Sequence, residues 1–204
     1  MVARQAFTRE SADTRREALI AACGRCLAKH GSQGTSVRAI CLEAGVSPGL
    51  LRHYFEGIDA LIAATYRVTG AQVAHALQTA VEAAGDQPRA RLRAFVAANF
   101  RAPIADADLL STWLAFWSLA RSDSAIGQIH DDIYADNRAD ITALIAACPG
   151  APTTPDLAAI GLTALIDGLW LELSLGNAPF SPEEAEMLAE AWVQALFNRE
   201  QVRP

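Results

Sequence analysis

The fold is decided by residues 37–54, VRAICLEAGVSPGLLRHY. This pattern predicts two short helices joined by a tight turn, a helix-turn-helix. Gly45 can take the positive φ that such a turn requires, and Cys41 is a small residue where the helices cross. Apolar side chains are expected where the two helices pack together. They are Ile40, Ala44, Val46, Leu51 and Tyr54.

Outward from this stretch, the charge of the chain is unevenly distributed. The total is −6, but residues 1–60 hold eight basic and six acidic residues, whereas residues 61–204 hold nine and seventeen. An ordinary corner between two helices would show the same apolar pattern. The N-terminal position and the more basic first part favour a DNA-binding unit, because charge distribution matters more than the total.

The rest of the chain also reads as helix, and an all-α protein of about nine helices is predicted. Ala is abundant, and no two-residue alternation typical of strands is evident. The first helix is expected over about residues 14–30, with a capping box at Thr14 and Glu17, and Gly31 as its C-cap. The second should span about 36–44, and Ser47-Pro48 should open the third. Breakers near residues 57, 85, 103, 123, 149 and 177 separate the longer helices that follow.

The second helix of such a unit enters the major groove and presents its N-terminal residues to base edges. Arg52 is the best candidate for a bidentate contact with guanine. Residues at the start of the preceding helix are expected near phosphates, because helix N-termini bind anions. Arg4, Arg9, Arg15 and Arg16 could form a basic arm. The predicted DNA-binding residues are Thr35, Ser36, Arg38, Ser47, Pro48, Gly49, Arg52, His53 and Tyr54.

About residues 13–62 resemble the DNA-binding domain of the TetR family of bacterial repressors. The shared elements are Thr35, then Gly45-Val46-Ser47-x-Gly49, Leu51 and Tyr54-Phe55. Residues 113–117 and 164–170 resemble the ligand-binding domain of BetI-type members, which respond to choline. The resemblance implies a homodimer, held by a four-helix bundle of the last two helices of each chain. It also implies an effector cavity whose occupation shifts the fourth helix and separates the recognition helices.

Two positions depart from the family pattern. Many members carry Tyr where this chain has Arg52, so its base preference should differ from the common ones. Many also carry a phosphate-binding Lys where this chain has Ile58. Without that Lys, the salt dependence of DNA binding should fall by about one phosphate contact.

Aromatic residues in the acidic part predict a ligand site. Trp113 and Trp117 share a helical face, and Asp167 precedes Trp170 by three residues. Aromatic faces beside a carboxylate suit a quaternary ammonium ion. The alternatives are an apolar or aromatic effector, core packing of the rings, and an Asp167 that caps a helix or pairs with Arg121. The predicted ligand residues are Trp113, Phe116, Trp117, Tyr134, Asp167 and Trp170.

The predicted dimer surface combines apolar and small residues near the C-terminus, although packing within one chain would need the same residue types. A protein that reads a palindrome requires two-fold symmetry, which favours the dimer. The residues are Leu157, Gly161, Leu165, Gly168, Leu188, Trp192 and Leu196.

Other patterns predict neither catalysis nor a cofactor. Cys23, Cys26 and His30 could share a helical face, but core packing is expected for these cysteines, and no metal site is predicted. Asp132, Asp136 and Asp140 form a stripe expected to face solvent. The sequence shows no phosphate loop, nucleophile elbow or zinc-binding helix.

The interpretation is a cytoplasmic DNA-binding repressor, not an enzyme, with residues 1–60 binding double-stranded operator DNA and residues 61–204 binding effector and partner subunit. No apolar run long enough for a membrane span is expected. A helical enzyme or a protein-binding adaptor is the alternative from another class.

Overall fold

A computed structural model of the protein describes residues 12–198, and Arg4 and Arg9 of the predicted basic arm lie outside them. Over the described residues the chain forms nine α-helices and no strand, which confirms the predicted all-α class. The helices are α1 Ala12–Gly34, α2 Val37–Ala44, α3 Pro48–Tyr54, α4 Ile58–Ala83, α5 Pro88–Ala98, α6 Ala107–Ala120, α7 Ser124–Ala146, α8 Pro155–Ser174 and α9 Pro182–Asn198.

The N-terminal helices follow the predicted cap signals closely, with one exception. Ser36 and Ser47 are the N-caps of α2 and α3, and Gly45 closes α2 in the left-handed conformation at φ 65° and ψ 32°. Gly31 interrupts α1 at φ 64°. The exception is Thr14, which lies inside α1, because the helix already includes Ala12; the predicted capping box is therefore wrong.

A continuous apolar core joins the first three helices to the rest of the molecule. Helix α1 packs on α6 and α4 as well as on α2. The Thr112 hydroxyl of α6 lies 2.8 Å from the Asp108 carbonyl and 3.3 Å from the Gly24 carbonyl of α1. The helix-turn-helix is therefore attached to the bundle through α6 as well as through the covalent connection to α4.

The length and apolarity of helix α8 differ from the expectation that no apolar run is long enough for a membrane span. By length and composition Pro155–Ser174 could cross a membrane, although no such stretch was predicted. Its packing accounts for this apolarity on one side: α8 lies against α6, α7 and α9, with Leu162 and Ile166 buried. Its remaining surface carries exposed apolar residues.

Candidate nucleic-acid interface and ligand cavity

The predicted recognition helix presents its polar side chains to solvent. Pro48, Gly49, Arg52 and His53 are exposed on α3, whereas Leu51 is fully buried against the core. Tyr54 is half-buried, with its ring edge-on to His53 at a centroid distance of 5.1 Å. The surface of α3 is thus free to meet a groove.

The two N-termini that flank the turn are also open. The Ser36 hydroxyl accepts a hydrogen bond from Ala39 N at 3.2 Å, and that of Ser47 accepts one from Leu50 N at 3.3 Å. Both serines are exposed, as is Arg38. A helix N-terminus that faces solvent provides backbone N–H groups for a phosphate.

Thr35 does not belong on this surface. Its side chain is buried, and its hydroxyl donates to the Gly31 carbonyl at 2.7 Å. The hydroxyl satisfies the carbonyl of the residue at which α1 breaks, so Thr35 holds the α1–α2 connection. This burial contradicts the prediction that Thr35 contacts DNA; its side chain makes a structural contact instead.

A cavity of about 710 Å³ lies in the bundle between α4, α5, α7 and α8. Its volume falls within the range of about 300–1,000 Å³ that is typical of small-molecule sites. Four of the six predicted ligand residues line it: Trp113, Tyr134, Asp167 and Trp170.

At one end of the cavity, Tyr134 of α7 joins three predicted residues from two other helices. Its hydroxyl oxygen accepts from Trp113 Nε1 at 3.3 Å and from Trp117 Nε1 at 2.9 Å. The same hydroxyl donates to Asp167 Oδ1 of α8 at 3.1 Å. The phenol therefore orients the carboxylate and links α6, α7 and α8.

The hydrogen bond from Tyr134 offsets only part of the cost of burying the Asp167 carboxylate. Burial raises the pKa of the carboxyl to about 6, and the Tyr134 hydrogen bond and nearby Arg138 only partly oppose that rise. The hydrogen bonds and ion pairs described within residues 12–198 leave Asp167 Oδ2 without a protein partner. The predicted alternative of a pair with Arg121 is not found among these contacts. A carboxylate in this position can receive a cationic ligand.

Two predicted ligand residues do not line the cavity. Phe116 is fully buried and stacks on Tyr66 of α4, with ring centroids 4.1 Å apart. Trp117 is half-buried and reaches the site only through its bond to Tyr134. The spacing of these residues placed them on the correct helix, but α6 faces three neighbours, so only Trp113 meets the cavity.

Sequence reasoning missed a contact between α4 and α7 beside the cavity. The Tyr66 hydroxyl lies 3.0 Å from His130 Nδ1, and the imidazole stacks on Tyr134 at 4.2 Å. Burial lowers the pKa of His130. One turn further along, Gly70 permits close approach, because a Cβ there would lie 2.7 Å from Ile133 Cδ1. Nothing in the sequence marks His130 as part of such a contact.

The acidic stripe of α7 is exposed, as expected, but it also borders the cavity. Asp132, Asp136 and Asp140 line its mouth, together with Asp86 from the α4–α5 connection. Arg67 and Arg91 are the cationic side chains on the same lining. The four-residue spacing could have indicated one helix face, but not that a cavity opens beneath it.

Some of the predicted dimer residues are exposed to solvent, and others pack between α8 and α9. Leu157, Gly168 and Leu188 are exposed, and Leu165 and Leu196 are half-buried. Gly161 and Trp192 pack on each other within the chain: a Cβ at Gly161 would lie 2.9 Å from the indole. The same surface carries exposed apolar residues that were not predicted. They are Ile160, Leu171, Leu175 and Met187.

A helix-turn-helix with open N-termini, attached to a helical bundle with a ligand-sized cavity, is the arrangement of a ligand-responsive transcriptional regulator. The comparisons identify the family. Residues 19–65 match the description "Bacterial regulatory proteins, tetR family", and residues 88–198 match "BetI-type transcriptional repressor, C-terminal".

Relatives over nearly the whole chain agree with this match. The HTH-type transcriptional regulator BetI of Burkholderia thailandensis is 37% identical over 187 residues, 91% of this chain and 94% of the relative. That of Burkholderia ambifaria is 36% identical over 186 residues, 91% and 95% of the two chains. This chain belongs to the TetR family of transcriptional repressors, with a BetI-type C-terminal part, and it is not an enzyme.

Solved structures share the fold. A transcriptional regulator from Pseudomonas aeruginosa is 40% identical, with a TM-score of 0.82 over 98% of this chain and 99% of that one. A transcriptional regulator from Saccharomonospora viridis, solved in complex with choline, is 19% identical, with a TM-score of 0.80 over 89% and 96% of the chains. The latter shows the likeness of fold alone.

Proposed function

We propose that two copies of this chain bind a palindromic operator through α3 and release it when a small organic cation, such as choline, enters the cavity. The observation that carries the proposal is the cluster of Trp113, Tyr134 and Asp167. It sets a partly buried carboxylate beside aromatic rings at the cavity wall. Such surroundings favour a quaternary ammonium through cation–π contacts and charge. The BetI relatives and the choline complex of a fold neighbour support this choice.

The cavity has two connections to the DNA-binding helices. Helix α4 carries the cavity-lining Val73 and Leu77 and continues directly from α3 through residues 55–57. Helix α6 carries Trp113 on the cavity and, one residue earlier, Thr112 near α1. A ligand that binds best when α4 and α7 are further apart would shift the population toward the released state. We propose residues 1–60 and 61–204 as the two functional parts.

The partner subunit is proposed to cover the exposed apolar face of α8 and α9. Leu157 and Ile160 are three residues apart on α8, and Leu171 lies eleven residues, or about three turns, beyond Ile160, so the three share one side of the helix. Leu188 lies on α9. Exposed apolar patches of this kind mark association surfaces. We place the homodimer in the cytoplasm, where operator DNA is accessible.

The operator is tested by footprinting on DNA that flanks the protein's own gene, at moderate salt, with and without choline. The expected result is symmetric protection of two half-sites about one helical turn apart, lost on addition of the cation. Protection of a single half-site, or none, would contradict palindromic binding by a dimer.

Asp167→Asn tests the cationic effector. It keeps the size of the side chain and removes its charge, so choline affinity should fall more than tenfold, as measured by isothermal titration calorimetry. Asp156→Asn, an exposed acid in the first turn of α8, is the matched control and should leave the affinity unchanged.

A second candidate is an apolar or aromatic effector, with Asp167 purely structural. It is favoured by the apolar walls of the cavity, which include Val73, Leu77 and Phe95. On this alternative Asp167→Asn would leave the response to effector unchanged.

A further inference from the structure

We infer that the cavity takes an elongated cationic amphiphile, a positively charged head group with an apolar chain, rather than a compact cation alone. The inference deepens the proposed function and rests on it, because the head group is placed at Asp167. Three features of the cavity carry it: its volume, its length and the chemistry of its walls.

The volume is too large for a compact cation. Choline has seven non-hydrogen atoms, and at the roughly 30 Å³ that a water molecule occupies in the liquid it would fill about 210 Å³. The cavity has about 710 Å³. A bound choline would therefore leave more than half of the space to water, much of it against apolar walls, which is unfavourable.

The cavity is also long. Its lining follows α7 from Ile129 to Ala147 and α4 from Arg67 to Val81. With a rise of 1.5 Å per residue, these segments measure about 27 Å and about 21 Å. The Asp167 cluster lies toward one end, next to Tyr134, so most of the lining of α7 extends beyond the head-group site.

Part of the wall between these ends is apolar. Val73, Leu77 and Val81 follow one another at four-residue steps on α4, and Ile133 and Leu144 face the same space from α7. Such a surface gains free energy from contact with a methylene chain.

The charge of the lining selects the sign of the head group. Five carboxylates border the cavity, and two arginines, Arg67 and Arg91, oppose them. An anionic amphiphile such as a fatty acid would meet net repulsion at the mouth. The carboxylates are Asp86, Asp132, Asp136, Asp140 and Asp167.

The test is a series of n-alkyltrimethylammonium ions from tetramethylammonium to the decyl compound, below the concentration of micelle formation. Binding is followed by calorimetry and by tryptophan fluorescence. Affinity should rise up to about fourfold per added methylene, the equivalent of about 0.8 kcal/mol, until the groove is filled. Decanoate should bind more weakly than the decyl cation.

A pair of variants tests where the alkyl chain of the bound amphiphile lies. Ala143 is an exposed residue of α7 that lines the cavity beyond the head-group site, whereas the exposed Ala139 of the same helix does not line it. Ala143→Trp should weaken the decyl cation more than tenfold and leave tetramethylammonium unchanged. Ala139→Trp should change neither, and thermal unfolding checks that both variants are folded.

The outcomes separate this inference from the proposed function. Equal affinity for the shortest and the longest cation would overturn the inference and leave a compact cationic effector. Binding of neutral 3,3-dimethylbutanol as tightly as choline, with no effect of Asp167→Asn, would overturn the cationic effector itself. Should Ala143→Trp misfold, the series of alkyl chain lengths on the unaltered protein tests the inference without this variant.

Discussion

At the scale of single residues, Asp167 illustrates how the proposed ligand site differs from a well-satisfied core. Its neighbours Ile166 and Trp170 are buried, and one hydrogen bond from Tyr134 is its described partner. A partly buried carboxylate with so little compensation costs stability in the empty protein. That cost is the expected signature of a group that a bound cation completes.

The pH dependence of stability should reveal this cost. The pKa of Asp167 is raised from an ordinary value near 3.8 to about 6, so the folded state holds its proton more tightly than the unfolded state. The contribution of this group to stability is therefore full below about pH 4 and is lost as the pH rises through about 6. Asp167→Asn should raise the denaturation midpoint of the ligand-free protein at pH 7.5, with a gain of roughly 1–3 kcal/mol.

The same comparison at pH 4 is the control. In the folded state both proteins are largely neutral at this position there, so the difference should be much smaller. A constant difference between the two pH values would show that the charge of Asp167 is not its cause.

Arg52 carries the residue-scale prediction for DNA. The exposed guanidinium on α3 should make a bidentate contact with guanine, so Arg52→Ala should reduce base discrimination at one operator position by about 1–3 kcal/mol. Gel-shift titrations against operators changed at single base pairs measure this. Arg93→Ala, an exposed arginine on α5, should alter no base preference; equal effects of the two variants would contradict the assignment.

At the scale of elements, the helix-turn-helix depends on a sharp change of direction between α2 and α3. Gly45 makes this turn at φ 65°, and its N–H donates to the Leu42 carbonyl at 3.2 Å. Elsewhere on α2, the Glu43 carboxylate accepts hydrogen bonds from Arg25 at 2.6 Å and from Lys29 at 3.4 Å, and these bonds tie α2 to α1. These pairs are largely exposed, so the turn and the buried Ile40 and Leu51 contribute more to the stability of the unit.

Two glycines in this region should respond to alanine with opposite signs. Gly45→Ala forces a left-handed backbone on a residue with a Cβ and should destabilise the protein by about 1 kcal/mol. Gly24→Ala lies within α1, where its Cβ would meet Thr65 at an ordinary 3.8 Å, and should stabilise by about 0.5–1 kcal/mol. Thermal or urea unfolding distinguishes them. Equal destabilisation by both would show that the conformation of Gly45 is not the reason.

At the scale of the whole molecule, the proposed function depends on two copies held at a fixed distance. The exposed Leu171 and Leu188, 38% and 51% accessible, lie on the α8–α9 face that we propose as the interface. Burial of these side chains against a second copy would favour association, since about 25 cal/mol is gained for each Å² of apolar surface removed from water. A monomer would present one α3 and lose the second half-site.

The combined variant Leu171→Glu/Leu188→Glu should therefore convert the protein to a monomer. The two carboxylates would be desolvated at the interface, which is unfavourable. Analytical ultracentrifugation measures the mass, with Leu42→Glu as the control, because Leu42 is 83% exposed on α2 and far from this face in sequence. A variant that stays dimeric would place the interface elsewhere.

The sequence predicted the helices well because their signals are local. Gly45 and Ser47-Pro48 act through hydrogen bonds and φ values within a few residues, and the structure has them as predicted. The predicted capping box at Thr14 is wrong because a capping pattern does not show whether the helix already begins at an earlier residue.

The residues that line the cavity were predicted less completely. Periodicity placed Trp113 and Phe116 on one helix, but it could not show that one would face a cavity and the other stack on Tyr66. It also gave no reason to bring Tyr66 to His130, residues 64 apart in the chain.

The nine helices of residues 12–198, the helix-turn-helix and the family thus follow from the amino-acid sequence, since caps, breakers and apolar spacing act over one or two turns of chain. The tertiary structure alone decided that Thr35 is buried, that Tyr134 joins Asp167 to two indoles, and that a long cavity runs beneath the acidic stripe of α7. The physical reason is that a cavity is the space left when several helices pack. Its shape depends on side chains from α4, α5, α7 and α8 together, which no pattern along one helix contains.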